Sequence, residues 1–223
     1  MSNTHTPKKR VAILISGRGS NMVSLIEAAR TPGYPAEIVL VISNRPEAAG
    51  LERARAAGIA TLAIDHKQFA TRMAFEAKLH AALLEARTDL ICNAGFMRML
   101  TGGFVDRWRD RQLNIHPSLL PSFPGLDTHQ RALDEGVRVH GCTVHFVRLE
   151  MDTGPIVAQA AVPVRAGDTE ATLAARVLEA EHRLYPHALR LVASGLAKVV
   201  DDTIVMAPPS RAVQPLFSPP LES

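Results

Sequence analysis

The sequence predicts an α/β protein built on a doubly wound, mainly parallel sheet, and two observations predict it. Short apolar runs alternate with amphipathic helical patterns through the first half, the order that gives parallel strands covered by helices in a Rossmann-like arrangement. The second half changes character. Two longer strand-like runs follow one another with no helix between them, which predicts antiparallel strands extending the same sheet, and a long C-terminal helix completes the fold.

Taken in order, the apolar runs place strands at residues 10–15, 37–43, 61–64, 89–93 and 112–116. Between them the spacing predicts helices near 21–30, 48–57 and 71–86. In the first, Met22, Leu25, Ile26 and Ala29 fall at i, i+3, i+4 and i+7 and form an inward stripe. Residues 139–147 and 155–163 are the two longer strands. Asp168 is placed to cap a helix running to about Ser194, with Gly195 as its stop. Pro186 lies inside that helix and should kink it near Tyr185. The helix buries Val177, Leu178, Leu184 and Ala188, and Glu181 falls on the same stripe, where a carboxylate is costly unless paired or wet. Residues 1–9 read as a flexible leader and 207–223, Pro-rich and aperiodic, as a mobile tail. Residues 10–200 form the domain, with halves at 10–110 and 111–200.

Bulk properties narrow the function. A chain of 223 residues, 47% hydrophobic and 21% charged, describes an ordinary soluble protein with length enough for a buried core. A formal charge of +3 is too mild for a nucleic-acid surface, yet suits anionic small substrates. No stretch approaches the roughly 20 apolar residues that span a bilayer. Lys8-Lys9-Arg10 ahead of an apolar run has the look of a signal peptide, but the run is short and meets Ser16-Gly17-Arg18. Cys92 and Cys142 both sit in apolar runs, so free thiols in a reducing compartment are expected, and with them a cytoplasmic location.

Three stretches carry chemistry. In Leu113-Asn114-Ile115-His116-Pro117, the period of a strand puts Asn114 and His116 on one face, and Pro117 and Pro121 end the ladder there. A neutral amide beside a side chain that titrates near neutrality suits a reaction passing through an oxyanion with a mobile proton. An isolated N-x-H is more often a strand end bonding a neighbouring loop. Ser16-Gly17-Arg18-Gly19-Ser20-Asn21 joins the first strand to the first helix, where glycines and a helix N-terminus admit an anion and Ser20 or Asn21 can cap the helix. Met22 stands where a dinucleotide fingerprint needs glycine, and Ser43-Asn44-Arg45 where it wants an acid, so a phosphate monoester fits better. A plain tight turn is the competing reading. Asp152, in Glu150-Met151-Asp152-Thr153-Gly154-Pro155, is either an Asx-turn residue or a carboxylate folded against His116 to favour the imidazolium, with His145 holding the loop.

These stretches, with NAGFMRML at 93–100, LNIHPSLLP at 113–121, PGLDTH at 124–129, GCTVHFV at 141–147, MDTGP at 151–155 and EH at 181–182, resemble the folate-dependent phosphoribosylglycinamide formyltransferases. The likeness covers about residues 10–200. It implies a catalytic set of Asn114, His116 and Asp152, and a phosphate site at Gly19, Ser20 and Asn21, with Glu181 at the glycinamide end of the acceptor. Folate contacts are implied at Arg72, Met97, Arg98, Met99, Leu100 and Asn114. The resemblance further implies 10-formyltetrahydrofolate as cosubstrate, glycinamide ribonucleotide as acceptor, no metal, no nucleic-acid or membrane partner, and a monomer or weak homodimer. It divides the domain into a phosphate-binding half at 10–110 and a catalytic and folate-binding half at 111–200. Asp127 and Leu178, where the family varies, are not carried over. His129, His140 and His182 lack metal-ligand spacing and read as structural or solvent-facing. The rivals are a formyltetrahydrofolate hydrolase, for whose extra N-terminal domain the chain has no room, and a non-enzymatic nucleotide- or folate-binding protein. Formylation of initiator methionyl-tRNA would require an appended C-terminal domain.

Overall fold

Runs with no polar face become central strands. Val11, Ala12, Ile13, Leu14 and Ile15 of β1 (Lys9–Ile15) are wholly inaccessible to solvent. Period two divides them between two cores: Val11, Ile13 and Ile15 pack into one, Ala12 and Leu14 into the other. Both faces of the sheet are therefore covered, as a parallel sheet requires. The computed structural model describes residues 7–207 and Ser218.

The order continues with α1 (Ser20–Ala29), β2 (Ala36–Ser43), α2 (Ala49–Ala56), β3 (Thr61–Ala63), α3 (Arg72–Glu85) and β4 (Leu90–Asn93). Then come α4 (Gly102–Arg107), β5 (Gln112–His116), α5 (Thr128–Asp134), β6 (Val139–Phe146), β7 (Ile156–Pro163), α6 (Glu170–Ala193), β8 (Ala197–Val200) and β9 (Thr203–Met206). The main sheet runs β3-β2-β1-β4-β5-β6-β7, parallel through β5 and antiparallel from β5 to β7. The mixed sheet and the long last helix are those the sequence predicts. The first core fills the space beneath α1 and α6; the second packs Phe75, Leu79 and Leu83 of α3 with Phe104, Val105 and Trp108. Tyr185 stitches the layers together: its hydroxyl donates to the carbonyls of Asn93 at the end of β4 and of Leu113 in the neighbouring β5.

Several local expectations are corrected. The N-cap of α6 is Thr169, whose side chain accepts from the Thr172 N–H while the Thr172 hydroxyl accepts from the Thr169 N–H, a reciprocal box. Asp168, one residue earlier, pairs instead with Arg176 at 2.7 and 2.8 Å and is held well below the ordinary carboxylate range, first by that guanidinium. The kink expected at Pro186 does not end the helix, which continues past it to Ala193. Neither Ser20 nor Asn21 caps α1. They are its first residues, and Gly19 precedes them in the left-handed region at φ 69°. The leader expected over 1–9 is shortened at one end, since Lys9 already pairs with Ala36 in β1, and residues 1–6 lie outside the described residues. The domain edge expected at 200 falls inside the β8–β9 hairpin, whose Ala197 joins the first core. The tail expected over 207–223 lies outside the described residues except Ala207 and Ser218.

β6 and β7 approach so closely that an added Cβ at Gly141 would stand 2.0 Å from the Ala160 carbonyl oxygen. That neighbour is backbone in a paired strand and has no room to give. Gly141→Ala should cost about 1–3 kcal/mol or more by overpacking, read as a lower urea midpoint at unchanged slope.

Candidate active site

Sheet topology fixes where a ligand belongs. Strand order reverses between β1 and β4, and open α/β sheets bind ligands beyond the strand C-termini at such a switch point. The segments after β4 and β5 converge there with the β6–β7 loop and with Asn21 in the first turn of α1 on a crevice of about 630 Å³. That volume lies within the range of small-molecule sites.

At the end of β5, Asn114 and His116 face the crevice from one side of the strand. Asn114 lies opposite His145 of β6, whose ring Nε2 is 3.2 Å from the Asn114 amide nitrogen. His145 Nδ1 is 2.9 Å from the Phe146 carbonyl, which can only accept, so Nδ1 carries the proton of a neutral ring. Burial, the largest cause, pushes His145 below the ordinary histidine range even with Asp152 nearby, which keeps the ring neutral. Its Nε2 is then a bare acceptor, and Asn114 must turn its amide N–H toward it. His116 Nε2 donates to the Phe123 carbonyl at 2.9 Å, and its Nδ1 stands 3.4 Å from Asp152 Oδ2. With Nε2–H committed to a carbonyl, a proton between Nδ1 and Asp152 belongs to the doubly protonated ring. Asp152 also stands 3.8 Å from His145 Nε2 and accepts from the Gly125 N–H at 2.9 Å. Its side chain is 9% exposed and its φ is 57°, so the loop holds a carboxylate in a left-handed backbone position.

Residues at the other end of the crevice come from the helices. The Asn21 amide donates to Glu181 Oε2 at 2.7 Å, joining the first turn of α1 to α6, and both side chains line the crevice. Burial raises the Glu181 carboxyl above its ordinary range, opposed by the Asn21 hydrogen bond. Met97, Arg98 and Met99 wall the crevice, and Leu100 lines a smaller cavity beside it with Asn114, His145 and Asp152. Ser20 lies instead on an adjacent groove with His182 and Arg183. Gly19 forms the helix entry. Arg72 does not join the set: it is exposed at the start of α3 and lines none of these cavities. Asp127 and His129 line the crevice although they were set aside from the sequence; the PGLDTH run was the available signal. Cys92 and Cys142 are buried, and burial pushes each thiol up to about 12, so neither is a nucleophile near neutral pH.

Residues 9–189 match the formyl transferase family. The chain is 54% identical over 194 residues to the trifunctional purine biosynthetic protein adenosine-3 of Bos taurus, a match covering 86% of this chain and 19% of that protein. It therefore spans about a fifth of the length of that relative. It is 45% identical over 189 residues to the phosphoribosylglycinamide formyltransferase of Escherichia coli (strain K12), covering 85% of this chain and 89% of that one. The crystal structure of phosphoribosylglycinamide formyltransferase from Brucella melitensis superposes with a TM-score of 0.82 at 60% identity, over 84% of this chain and 97% of that one.

Behind His116, the ring of His140 packs edge-on against Phe123 and His129 with 1% of its surface exposed. Burial, with His129 and His116 nearby, lowers His140 to about 4. The unfolded chain takes up this proton near 6.5 and the folded chain only near 4, so stability from this group is complete above 6.5 and lost as pH falls to 4. His140→Phe should flatten the acid side of a stability–pH profile within that window while leaving the neutral plateau in place.

Proposed function

This chain belongs to the formyl transferase family, and from that premise we propose that it transfers a formyl group from 10-formyltetrahydrofolate to the amine of glycinamide ribonucleotide. The products are the formylated ribonucleotide and tetrahydrofolate. The observation that carries this reading is one crevice lined at one end by Asn114, His116 and Asp152 and at the other by Asn21 and Glu181.

The acceptor amine adds to the formyl carbon, and the carbonyl oxygen becomes an oxyanion. The Asn114 amide, turned by His145, and the imidazolium of His116 stabilise that charge. The adduct collapses as the carbon–N10 bond breaks; N10 of the folate takes up a proton and the attacking nitrogen loses one. The proton held between His116 Nδ1 and Asp152 is the one placed to move. Backbone N–H groups at Gly19, Ser20 and Asn21 hold the ribose phosphate, using the free donors of the first helical turn. That remote grip turns a two-body encounter into a positioned one. Met97, Arg98, Met99 and Leu100 form the folate wall, and Arg72 reaches the folate only from outside the crevice. In this reading residues 10–110 serve as the phosphate-binding half and 111–200 as the catalytic and folate-binding half. The protein works in the cytoplasm as a monomer or weak homodimer. No helix of the described residues is long and apolar enough to cross a membrane.

Mixing the purified protein with both substrates should produce the absorbance change of deformylated folate, and omitting the ribonucleotide should abolish it. A change without the ribonucleotide would identify a hydrolase, and no change in either case a carrier. Asn114→Leu should lower kcat by about a hundred to a thousandfold, the usual effect of removing an oxyanion donor, with little change in KM for the ribonucleotide. Asn21→Leu should raise KM for the ribonucleotide far more than KM for the folate, and equal losses would reduce the α1 turn to architecture.

A further inference from the structure

The loop that carries Asp152 is tied to an element beyond the family match, which ends at residue 189. Arg148, at the start of this loop, has a side chain only 6% exposed. Its Nε and Nη2 donate to Asp202 Oδ1 at 2.8 and 2.5 Å, its Nη2 also to Asp110 Oδ1 at 2.7 Å, and its Nη1 to the Val147 carbonyl at 3.1 Å. Asp202 lies at the tip of the β8–β9 hairpin, and Arg109 reaches the same carboxylate oxygen at 3.1 Å. The tip residues Asp201 and Asp202 both have positive φ, 48° and 58°. Glycine or asparagine satisfies such a turn as well as aspartate does, so the backbone alone does not explain a carboxylate at 202. The ion pairs do.

We propose that Arg148 and Asp202 are positioning residues: the hairpin is a strap that sets the 147–155 loop, and through it Asp152 and the neighbouring cavity wall. Three points define the loop. Arg148 fixes its start. Gly154 fixes its end, where a Cβ would stand 1.8 Å from the Phe146 carbonyl oxygen and 3.1 Å from Arg148 Cγ. Asp152 fixes its apex through Gly125 and His116. Arg148 itself lines the small cavity with Asn93, Arg98, Asn114, His145 and Asp152. A loop freed at its start would let Asp152 drift, and displacements of about 1 Å cost up to about a hundredfold in rate. The helix-side residues Asn21 and Glu181 are bonded to each other, and neither bonds a residue of the strap among the described residues, so they would keep their geometry.

This inference rests on the formyl-transfer reading, and its test separates the two. Asp202→Ala, Asp202→Glu and Arg148→Met would be prepared in the full chain and each substrate varied in turn. For Asp202→Ala, kcat should fall about tenfold or more and KM for 10-formyltetrahydrofolate should rise severalfold, with KM for the ribonucleotide within about twofold. Asp202→Glu should restore part of the loss, and Arg148→Met should reproduce it. The side chain of Asp202 is 54% exposed, so its removal is readable even if Arg148→Met does not fold. Hydrogen exchange at residues 148–154 should quicken in Asp202→Ala. Unchanged kinetics and exchange would overturn the strap, as would equal losses for both substrates with a lowered melting temperature. A wild-type protein inactive with both substrates would sink the reading of the reaction instead, and exchange would still decide the strap.

Discussion

A nearly buried carboxylate faces two histidines, and the architecture of this site is arranged around satisfying it. Asp152 is removed from water, and a carboxylate there is costly unless paired and hydrogen-bonded. Its two donors come from different segments, His116 from the end of β5 and the Gly125 N–H from the turn that leads to α5, while neutral His145 of β6 lies 3.8 Å away. Satisfying one charge therefore fixes three pieces of chain relative to one another. It also divides labour between the imidazoles. The ring bonded to the Phe146 carbonyl is kept neutral by burial and can only orient an amide, while the ring whose Nε2–H is spent on the Phe123 carbonyl faces the acid through its other nitrogen. Two histidines of identical chemistry acquire different work because their fixed hydrogen-bond partners differ.

The fold was legible where burial imposes a period. Central strands such as Val11 to Ile15 have no polar face, and the stripe of Met22, Leu25 and Ile26 lies wholly in the first core, so runs and spacing located them within a residue or two. Shortness alone did not decide legibility, since β3 and β4, of three and four residues, were placed while four other short elements were not. α4 has six residues, α5 seven, and β8 and β9 four each, and tertiary contacts define them more than pattern does. The cap of α6 was misplaced by one residue because Asp168 and Thr169 are both good caps; the choice fell to Thr169 once Asp168 could bond Arg176.

Site residues divide in the same way. Asn114 and His116 were legible as a pair because a strand's period puts them together. The approach of Asp152 to His116 was legible only as one of two readings, because it depends on a loop closing over 35 intervening positions of sequence. Arg72 illustrates the limit of resemblance: a matching position does not bring a side chain to the crevice, and here it remains at the exposed start of α3. Arg148 was invisible in the sequence for the opposite reason. Its meaning comes from Asp110 and Asp202, which no local pattern connects to it.

On the proposed reading, Asn21 would sort the two ends of a single substrate. Its backbone lies in the first turn of α1, where N–H groups lack helical partners and favour an anion. Its side chain turns the other way. One of its amide N–H groups goes to Glu181, the Asn21 oxygen has no hydrogen-bond partner, and the carboxylate stands beside it as a second acceptor. Acceptors at that position disfavour a second anion and favour a group rich in N–H, and burial, which raises the Glu181 carboxyl, makes a donor there more valuable than it would be in water. A ligand with phosphate at one end and an amine at the other satisfies both demands in only one orientation, and that orientation turns its amine toward the crevice that Asn114, His116 and Asp152 line.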